Sequence, residues 1–146
     1  MDLSPLAGWP VIVEQRVVWG DMDSYGHVNN TVYFRYFENA RLEYFRRLGW
    51  PVSQRPTGVG PILASTQARF KKPLTWPDTV AITARIPKVE ADHFTLEHVI
   101  YSENWAGIAT EGSGLIVTFD YTANKRVPVP DELRALIEKL EGRFNV

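Results

Sequence analysis

Between residues 30 and 48 the hydrophobic positions recur with the period of an α-helix that buries one face. Either Asn29 or Asn30 is suited to cap its first turn, and Gly49 is suited to end it. The apolar positions of this segment are Tyr33, Phe34, Tyr36, Phe37, Ala40, Tyr44, Phe45 and Leu48. Because this aromatic surface is wider than a single contact needs, we predict a helix over Asn30–Leu48 that other elements wrap.

The remaining hydrophobic segments favour β-strands. Val80, Ile82, Ala84 and Ile86 alternate with the residues between them, which is the period of two that a strand has. The predicted strands are Val11–Trp19, Ile62–Phe70, Asp78–Pro87, Phe94–Trp105 and Ile108–Tyr121. Short connections without helices join the last four strands, so we predict an antiparallel sheet.

The segments outside these elements complete the predicted fold. Gly112 and Gly114 lie inside the last strand and indicate a bulge or a close backbone approach. The first ten residues indicate an irregular arm, Pro51–Gly60 a loop, and Pro130–Gly142 an amphipathic helix. The predicted class is α+β: a long central helix wrapped by an antiparallel sheet of five to six strands, followed by a C-terminal helix.

Composition and charge reduce the number of function classes that fit the chain. The chain has 146 residues, 45% of them hydrophobic, which fits a single globular domain over residues 1–146. Its 16 basic and 17 acidic residues give a net charge of −1, so we expect neither nucleic acid nor a membrane as partner. The absence of cysteine excludes disulfides, thiolate metal sites and cysteine nucleophiles. The first residues lack the pattern of a secretory signal, and we therefore expect a cytoplasmic protein.

The segment before the predicted helix concentrates the candidate chemistry. It holds two carboxylates, an imidazole and two amides, which belong to Asp21, Asp23, His27, Asn29 and Asn30. A helix N-terminus presents unpaired N–H groups that carry partial positive charge. A carboxylate beside such a terminus can attack a carbonyl group, or activate water against it, while the N–H groups hold the carbonyl oxygen. The alternative is that these residues only form turns and cap the helix.

Metal binding is a weaker interpretation of the same segment. The Asp-x-Asp-x-x-Gly pattern of residues 21–26 matches the start of a calcium loop, but Tyr25 and Val32 stand where two further ligands belong. The His-Glu-x-x-His spacing of many zinc sites does not occur. We therefore expect no metal, and we predict structural roles for His93 and His98.

The same residues resemble the signature of a known family. The string Trp-Gly-Asp-Met-Asp-Ser-Tyr-Gly-His-Val-Asn-Asn over residues 19–30, followed by Tyr33 and Phe37-Glu38, is similar to that of hotdog-fold acyl-CoA thioesterases. Within them the chain resembles the 4-hydroxybenzoyl-CoA thioesterase-like branch. The Arg-Phe-Lys-Lys-Pro-Leu run of residues 69–74 agrees with this resemblance, which extends over most of the chain.

The resemblance implies an assembly and a reaction as well as a fold. The fold is a long helix wrapped by an antiparallel sheet, and the assembly is a homodimer or homotetramer with acyl pockets between subunits. The reaction is hydrolysis of an acyl-CoA to free acid and CoA, for which no cofactor is needed. Asp23 is the implied nucleophile or general base, and the helix N-terminus near Asn30 is implied to polarise the thioester carbonyl. Gly26 fits the close backbone approach of a ligand at this turn.

His27 and Asn29 extend the implied catalytic set. The 4-hydroxybenzoyl branch proper carries apolar residues at these two positions. The chain is similar here to long-chain acyl-CoA thioesterases and plant acyl-ACP thioesterases, in which an Asn and a His join the site. We assign Asp21 to turn and cap formation. Glu38 resembles the helix glutamate of other hotdog branches, with a surface salt bridge as the alternative.

The resemblance also implies substrate contacts. The phosphates of CoA require cations at the mouth of a pocket, and Lys125 and Arg126 are available besides the basic residues near position 70. The residues that we assign to substrate binding are Gly26, Tyr33, Arg69, Lys71 and Lys72.

Three other functions stay open on the same residues. An acyl-ACP thioesterase would hydrolyse the same thioester on a protein carrier. A non-catalytic hotdog module would bind an acyl-CoA, although the intact Asp23 argues against it. A hydratase or dehydratase of this fold has an Asp-x-Asn-x-x-His motif, and the spacing from Asp23 to His27 is one residue short of it.

Overall fold

The order of helices and strands follows the hydrophobic pattern. The computed structural model describes residues 1–50 and 58–143. The strands are β1 (Val11–Arg16), β2 (Val59–Phe70), β3 (Thr79–Ala84), β4 (His93–Ser102), β5 (Gly107–Asp120) and β6 (Lys125–Arg126). The helices are α1 (Asn30–Arg47) and α2 (Asp131–Leu140), with short 3₁₀ turns at Ser4–Leu6 and Trp19–Asp21.

The strands form one antiparallel sheet around the long helix. Their order is β1-β3-β4-β5-β2, with β6 paired to β5. Helix α1 contacts β1, β2, β3 and β4, so the sheet curls over it. This arrangement confirms the predicted α+β class and the wrapped central helix of the hotdog fold.

Some boundaries differ from the predictions. The first strand ends at Arg16 rather than Trp19, because Trp19 opens a 3₁₀ turn in which the Asp21 N–H donates to Val18 O at 3.0 Å. Strand β6 was not predicted, since its two residues are both polar. The predicted loop over Pro51–Gly60 lies outside the described residues up to residue 57, and β2 begins at Val59.

The core lies between α1 and the inner face of the sheet. Tyr36, Phe37 and Tyr44 of α1 are fully buried there. Gly112 of β5 lies directly beneath the Phe37 ring, and a Cβ at this position would overlap Cε2 and Cζ of that ring. The close backbone approach predicted at Gly112 is therefore confirmed, and it makes room for an aromatic side chain.

The outer face of the sheet is partly covered by the N-terminal arm. Leu6 packs with Ala81, Val99 and Tyr101 in a second, smaller apolar cluster, against which Trp9 also lies. Strand β3 is consequently buried on both faces, although its sequence alternates as if one face met water. The alternation could not show this cover, because the arm is distant from β3 in sequence.

His98 is built into the core. Its ring stacks on Phe37 with a centroid distance of 4.9 Å, and its Nδ1 lies 2.8 Å from Thr83 O. The Nε2 atom is buried and has no hydrogen-bond partner among the described residues. Burial lowers the pKa of His98 from 6.5 to about 4, and the positive charge of Arg41 acts in the same direction.

The buried histidine predicts a pH-dependent stability. Between about pH 6.5 and pH 4 the unfolded chain binds a proton at residue 98 that the folded chain does not bind, so the free energy of unfolding falls as the pH falls. A pKa shift of this size lowers the free energy of unfolding by about 3 kcal/mol across that pH range. Urea unfolding at several pH values should give a shallower dependence for His98→Gln than for the wild type. An equal dependence in both proteins would contradict this prediction.

Candidate active site

The residues that precede α1 form a tight, hydrogen-bonded turn. Met22 and Val28 pair as an isolated antiparallel bridge that closes it. Inside this bridge the Asp23 N–H donates to His27 O at 2.8 Å, and the Gly26 N–H donates to Asp23 O at 3.0 Å. Gly26 has a φ of 78°, a left-handed conformation that glycine adopts without strain. The turn therefore fixes the backbone on both sides of the Asp23 side chain.

The Asp23 carboxylate is held through one of its oxygens. Its Oδ1 accepts the Tyr25 N–H at 2.9 Å, and the side chain is half-buried. No hydrogen bond to Oδ2 is present within residues 1–50 and 58–143. One oxygen thus orients the carboxylate, while the other is available to a water molecule or a substrate.

The start of α1 separates the roles of the two asparagines. Asn29 is the N-cap, and its Oδ1 accepts the N–H and the hydroxyl of Thr31 at 3.0 and 2.9 Å. Its own N–H donates to the backbone oxygen of Asp21 at 2.9 Å, so Asp21 takes part in the turn through its backbone, while the cap is Asn29. Asn30 is the first helical residue, and its N–H donates to no acceptor in the described part of the chain. The unpaired donor at the positive end of the helix therefore belongs to Asn30.

A cavity of about 460 Å³ opens in front of this turn. Its lining residues are Asp23, His27, Val28, Asn30, Tyr33, Phe70, Lys71, Lys72 and Pro73. The structure thus brings a carboxylate, an imidazole, a helix start and two ammonium groups to one place. Gly26 and Asn29 belong to the turn but do not line the cavity.

Tyr33 and Leu74 hold the two walls of this cavity together. The Tyr33 hydroxyl accepts the Leu74 N–H at 3.0 Å, and Leu74 O accepts the Val28 N–H at 2.8 Å. Phe70 lies edge-on to the Tyr33 ring at 4.9 Å. Burial raises the pKa of Tyr33, with a smaller contribution from the charge of Asp23, so the phenol stays protonated. Phe70 and Leu74 were not predicted as site residues, and the run of residues 69–74 was the only sequence signal for them.

The two lysines at the cavity mouth differ in their partners. The Lys71 ammonium pairs with Glu111 at 2.6 Å. The Lys72 ammonium lies 5.0 Å from the centre of the Trp105 ring, and it pairs with no carboxylate among the described residues. Trp105 is itself held by a hydrogen bond from its Nε1 to Pro73 O at 2.7 Å. Of the two lysines at the cavity mouth, Lys72 is therefore the one whose ammonium is not already paired with a carboxylate and can pair with a bound anion.

A larger cavity, of about 710 Å³, lies on the outer face of the sheet. Arg69 lines this outer cavity, because successive side chains of a strand point to opposite faces and Phe70 faces the inner one. Arg85 and Glu97 pair across it at 3.1 Å, and Arg85 also stacks on Trp9 at 4.0 Å. Because these charges satisfy each other and no helix N-terminus opens there, we take the smaller cavity as the candidate active site.

The remaining predicted groups lie elsewhere. Glu38 is exposed on α1, 3.9 Å from Arg41, and it does not line the cavity of Asp23. Arg126 pairs with Asp92 at 3.2 Å, and Lys125 lies next to it in β6. The described residues contain no group of three or more His, Asp or Glu side chains that could hold a metal ion. None of the described helices is long and apolar enough to cross a membrane.

Comparison with known protein families shows to which family the chain belongs. The sequence model of the thioesterase-like superfamily matches residues 17–137, which includes the turn, α1 and most of the sheet. The chain belongs to the thioesterase-like superfamily. This assignment confirms the resemblance to hotdog thioesterases, and it makes the chain a thioester hydrolase.

The chain is similar over most of its length to individual thioesterases. A thioesterase of Thermus thermophilus, solved with coenzyme A and Zn, is 29% identical with a TM-score of 0.82 over 94% of this chain and 98% of that one. A chloroplastic acyl-acyl carrier protein thioesterase of Arabidopsis thaliana is 28% identical over 126 residues, 84% of this chain and 65% of that protein. The long-chain acyl-CoA thioesterase FadM of Escherichia coli is 23% identical over 122 residues, 82% of this chain and 90% of that protein.

Proposed function

We propose that the protein hydrolyses acyl-CoA thioesters in the cavity of Asp23. The observation that carries this proposal is that a carboxylate with one open oxygen and the unpaired N–H of a helix start line the same cavity. A thioester whose carbonyl oxygen accepts the Asn30 N–H would carry its developing negative charge at the positive end of α1. This is the charge distribution that acyl transfer requires.

The carboxylate supports two routes to the same products. As a general base, Asp23 takes a proton from water, the water oxygen bonds to the carbonyl carbon, and the C–S bond breaks. As a nucleophile, its oxygen bonds to that carbon and expels the thiolate, and water then hydrolyses the mixed anhydride. In both routes the thiolate sulfur takes up a proton, and the His27 imidazole at the cavity wall is suited to supply it. Water and these side chains suffice, so we propose no cofactor.

Thiol release is the test of this reaction. We expect wild-type protein to release CoA from at least one member of a panel that runs from acetyl- to palmitoyl-CoA and includes benzoyl- and phenylacetyl-CoA. Binding of an acyl-CoA without thiol release would instead favour a non-catalytic module. Release only from acyl-ACP, the carrier in the name of the Arabidopsis relative, would move the proposal to that substrate.

The unpaired ammonium of Lys72 at the cavity mouth predicts how the CoA carrier is recognised. Replacing Lys72 by alanine removes the unpaired ammonium at the mouth, so KM for an acyl-CoA should rise about tenfold, the value of one charge-assisted phosphate contact. KM for the matching acyl-N-acetylcysteamine thioester, which has no phosphate, should not change. Steady-state thiol release measures both constants, with Lys125→Ala as a control outside the cavity. An equal rise for the two substrates would show that Lys72 does not read the phosphates.

We further propose that residues 1–146 form one domain and that this domain assembles as a homodimer or homotetramer. The N-terminal arm and α2 both pack on the single sheet, which supports one domain. Among the described residues, strand β2 has a neighbour on one side only, and edge strands of this kind favour pairing with a further chain.

A further inference from the structure

Trp105 lies outside the cavity of Asp23 but contacts two of the residues that line it. It belongs to the turn between β4 and β5, and it is not itself a lining residue. Its Nε1–H donates to Pro73 O at 2.7 Å, and the Lys72 ammonium lies 5.0 Å from the centre of its ring. One side chain from a distant part of the sequence thus contacts two consecutive residues of the cavity.

The turn that carries Trp105 is itself anchored to the fold. The buried Asp78 carboxylate accepts the Ser102 hydroxyl at 2.5 Å and the Asn104 N–H at 3.1 Å. The Ser102 hydroxyl oxygen in turn accepts the Trp105 N–H at 3.1 Å. The Asn104 side chain donates to Pro77 O at 2.6 Å. Because these four hydrogen bonds fix the backbone of the turn, the indole extends from a firm base.

The contact between Lys72 and the Trp105 ring orients the ammonium without neutralising it. Trp105 exposes 46% of its surface and Lys72 is also exposed, so the lysine would otherwise sample many rotamers. An aromatic face attracts a cation but has no hydrogen-bond acceptor. The three N–H donors and the charge of Lys72 therefore remain available to an anion. The Lys71 ammonium, by contrast, is already engaged by Glu111 at 2.6 Å.

We propose that Trp105 is a positioning residue for recognition of the CoA carrier. Its ring holds the Lys72 ammonium at the cavity mouth, where the phosphates of CoA pair with it, and its Nε1–H holds the Pro73 backbone in the cavity wall. This inference rests on the proposed function of the cavity. The ring thus acts on the carrier that bears phosphates, whereas the N–H acts on a wall that every thioester meets.

A ratio of two rate constants measures the carrier contribution alone. It is kcat/KM for an acyl-CoA divided by kcat/KM for the matching acyl-N-acetylcysteamine thioester. Trp105→Leu removes the ring, and the ratio should fall about threefold, which corresponds to about 0.7 kcal/mol and lies within the range of an exposed cation–π contact. Trp105→Phe keeps an aromatic ring but lacks the N–H donor. Its ratio should stay within about twofold of the wild type, while kcat/KM falls for both thioesters together.

A double-variant cycle assigns the effect to Lys72. In the Lys72→Ala background the ring has no ammonium to hold, so the addition of Trp105→Leu should not lower the ratio further. Trp76→Leu is the matched control, since Trp76 is 50% exposed and close to Lys72 in sequence, but its ring contacts no cation in the described part of the chain. This variant should keep the wild-type ratio. Circular dichroism checks that every variant is folded.

Three kinetic results would overturn the inference. The first is an unchanged ratio for folded Trp105→Leu, which is what a merely structural role of Trp105 predicts, because a general disturbance lowers kcat/KM for both substrates alike. The second is an equal further fall of the ratio when Trp105→Leu is added to Lys72→Ala. The third is a ratio for Trp105→Phe that falls as far as that of Trp105→Leu.

CoA binding distinguishes a failure of this inference from a failure of the proposed function. Calorimetric titration with CoA needs no turnover, and the Kd for CoA should be about threefold higher for Trp105→Leu than for the wild type. This difference in Kd, found in a protein that releases no thiol from any thioester, would contradict the proposed reaction and support the role of Trp105. An equal Kd for both proteins, or no binding of CoA by the wild type, would overturn that role.

Discussion

The Asp23→Asn variant is expected to lose about 10²- to 10⁴-fold in kcat/KM for an acyl-CoA, the usual contribution of a general base. Asparagine retains an oxygen that can accept the Tyr25 N–H, so the turn should keep its conformation. It can neither take a proton from water nor attack the thioester. The variant therefore separates the chemistry of residue 23 from its structural role, and steady-state thiol release measures the difference.

Asp21→Asn is the matched control for this variant. Asp21 lies two residues away in the same turn, and its hydrogen bonds to the described residues are made by its backbone. Its replacement should change kcat/KM by less than about threefold, as for a surface substitution away from the chemistry. Undiminished hydrolysis by folded Asp23→Asn, or an equal loss in both variants, would remove Asp23 from the reaction.

The Gly112→Ala variant is expected to show the largest loss of stability. The added methyl group would overlap the Phe37 ring, and it would lie 2.9 Å from the backbone oxygen of Gln67. Both neighbours are fixed, one in the core and one in a paired strand. We expect the free energy of unfolding to fall by about 3 kcal/mol, the upper end of the usual cost of overpacking. Urea unfolding followed by circular dichroism measures this change.

Gly107→Ala serves as the comparison in the same strand. A Cβ at Gly107 would have its nearest neighbour at 3.8 Å, an ordinary contact, so this variant should be close to the wild type in stability. If the overlap is the cause, Phe37→Leu should relieve part of it, and the double variant Gly112→Ala/Phe37→Leu should lose less stability than the sum of the single variants. Additive losses would show that the two positions are not in contact.

The sequence predicted the central helix almost to the residue, because its signals are local. The apolar period, the Asn29 cap and Gly49 define α1 without reference to any other part of the chain. Strand centres were also predicted, but not the short polar strand β6 or the cover that the N-terminal arm places on β3. Both depend on contacts between residues that are distant in sequence, which a local pattern does not contain.

The same limit applies to the candidate site. Asp23, His27 and Asn30 are neighbours in sequence, so their proximity could be predicted from one loop. Phe70 enters the cavity from β2, and its neighbour Arg69 points to the other face of the sheet. The alternation of a strand predicts that these two side chains separate, but it does not show which of them faces α1.

The position of a bound thioester tests the central claim most directly. A crystal structure of Asp23→Asn with a non-turned-over acyl-CoA should show the thioester in the cavity of about 460 Å³. Its carbonyl oxygen should lie within hydrogen-bond distance of the Asn30 N–H, with the carbonyl carbon beside residue 23. A thioester bound instead in the outer cavity lined by Arg85 and Glu97 would contradict the proposed active site.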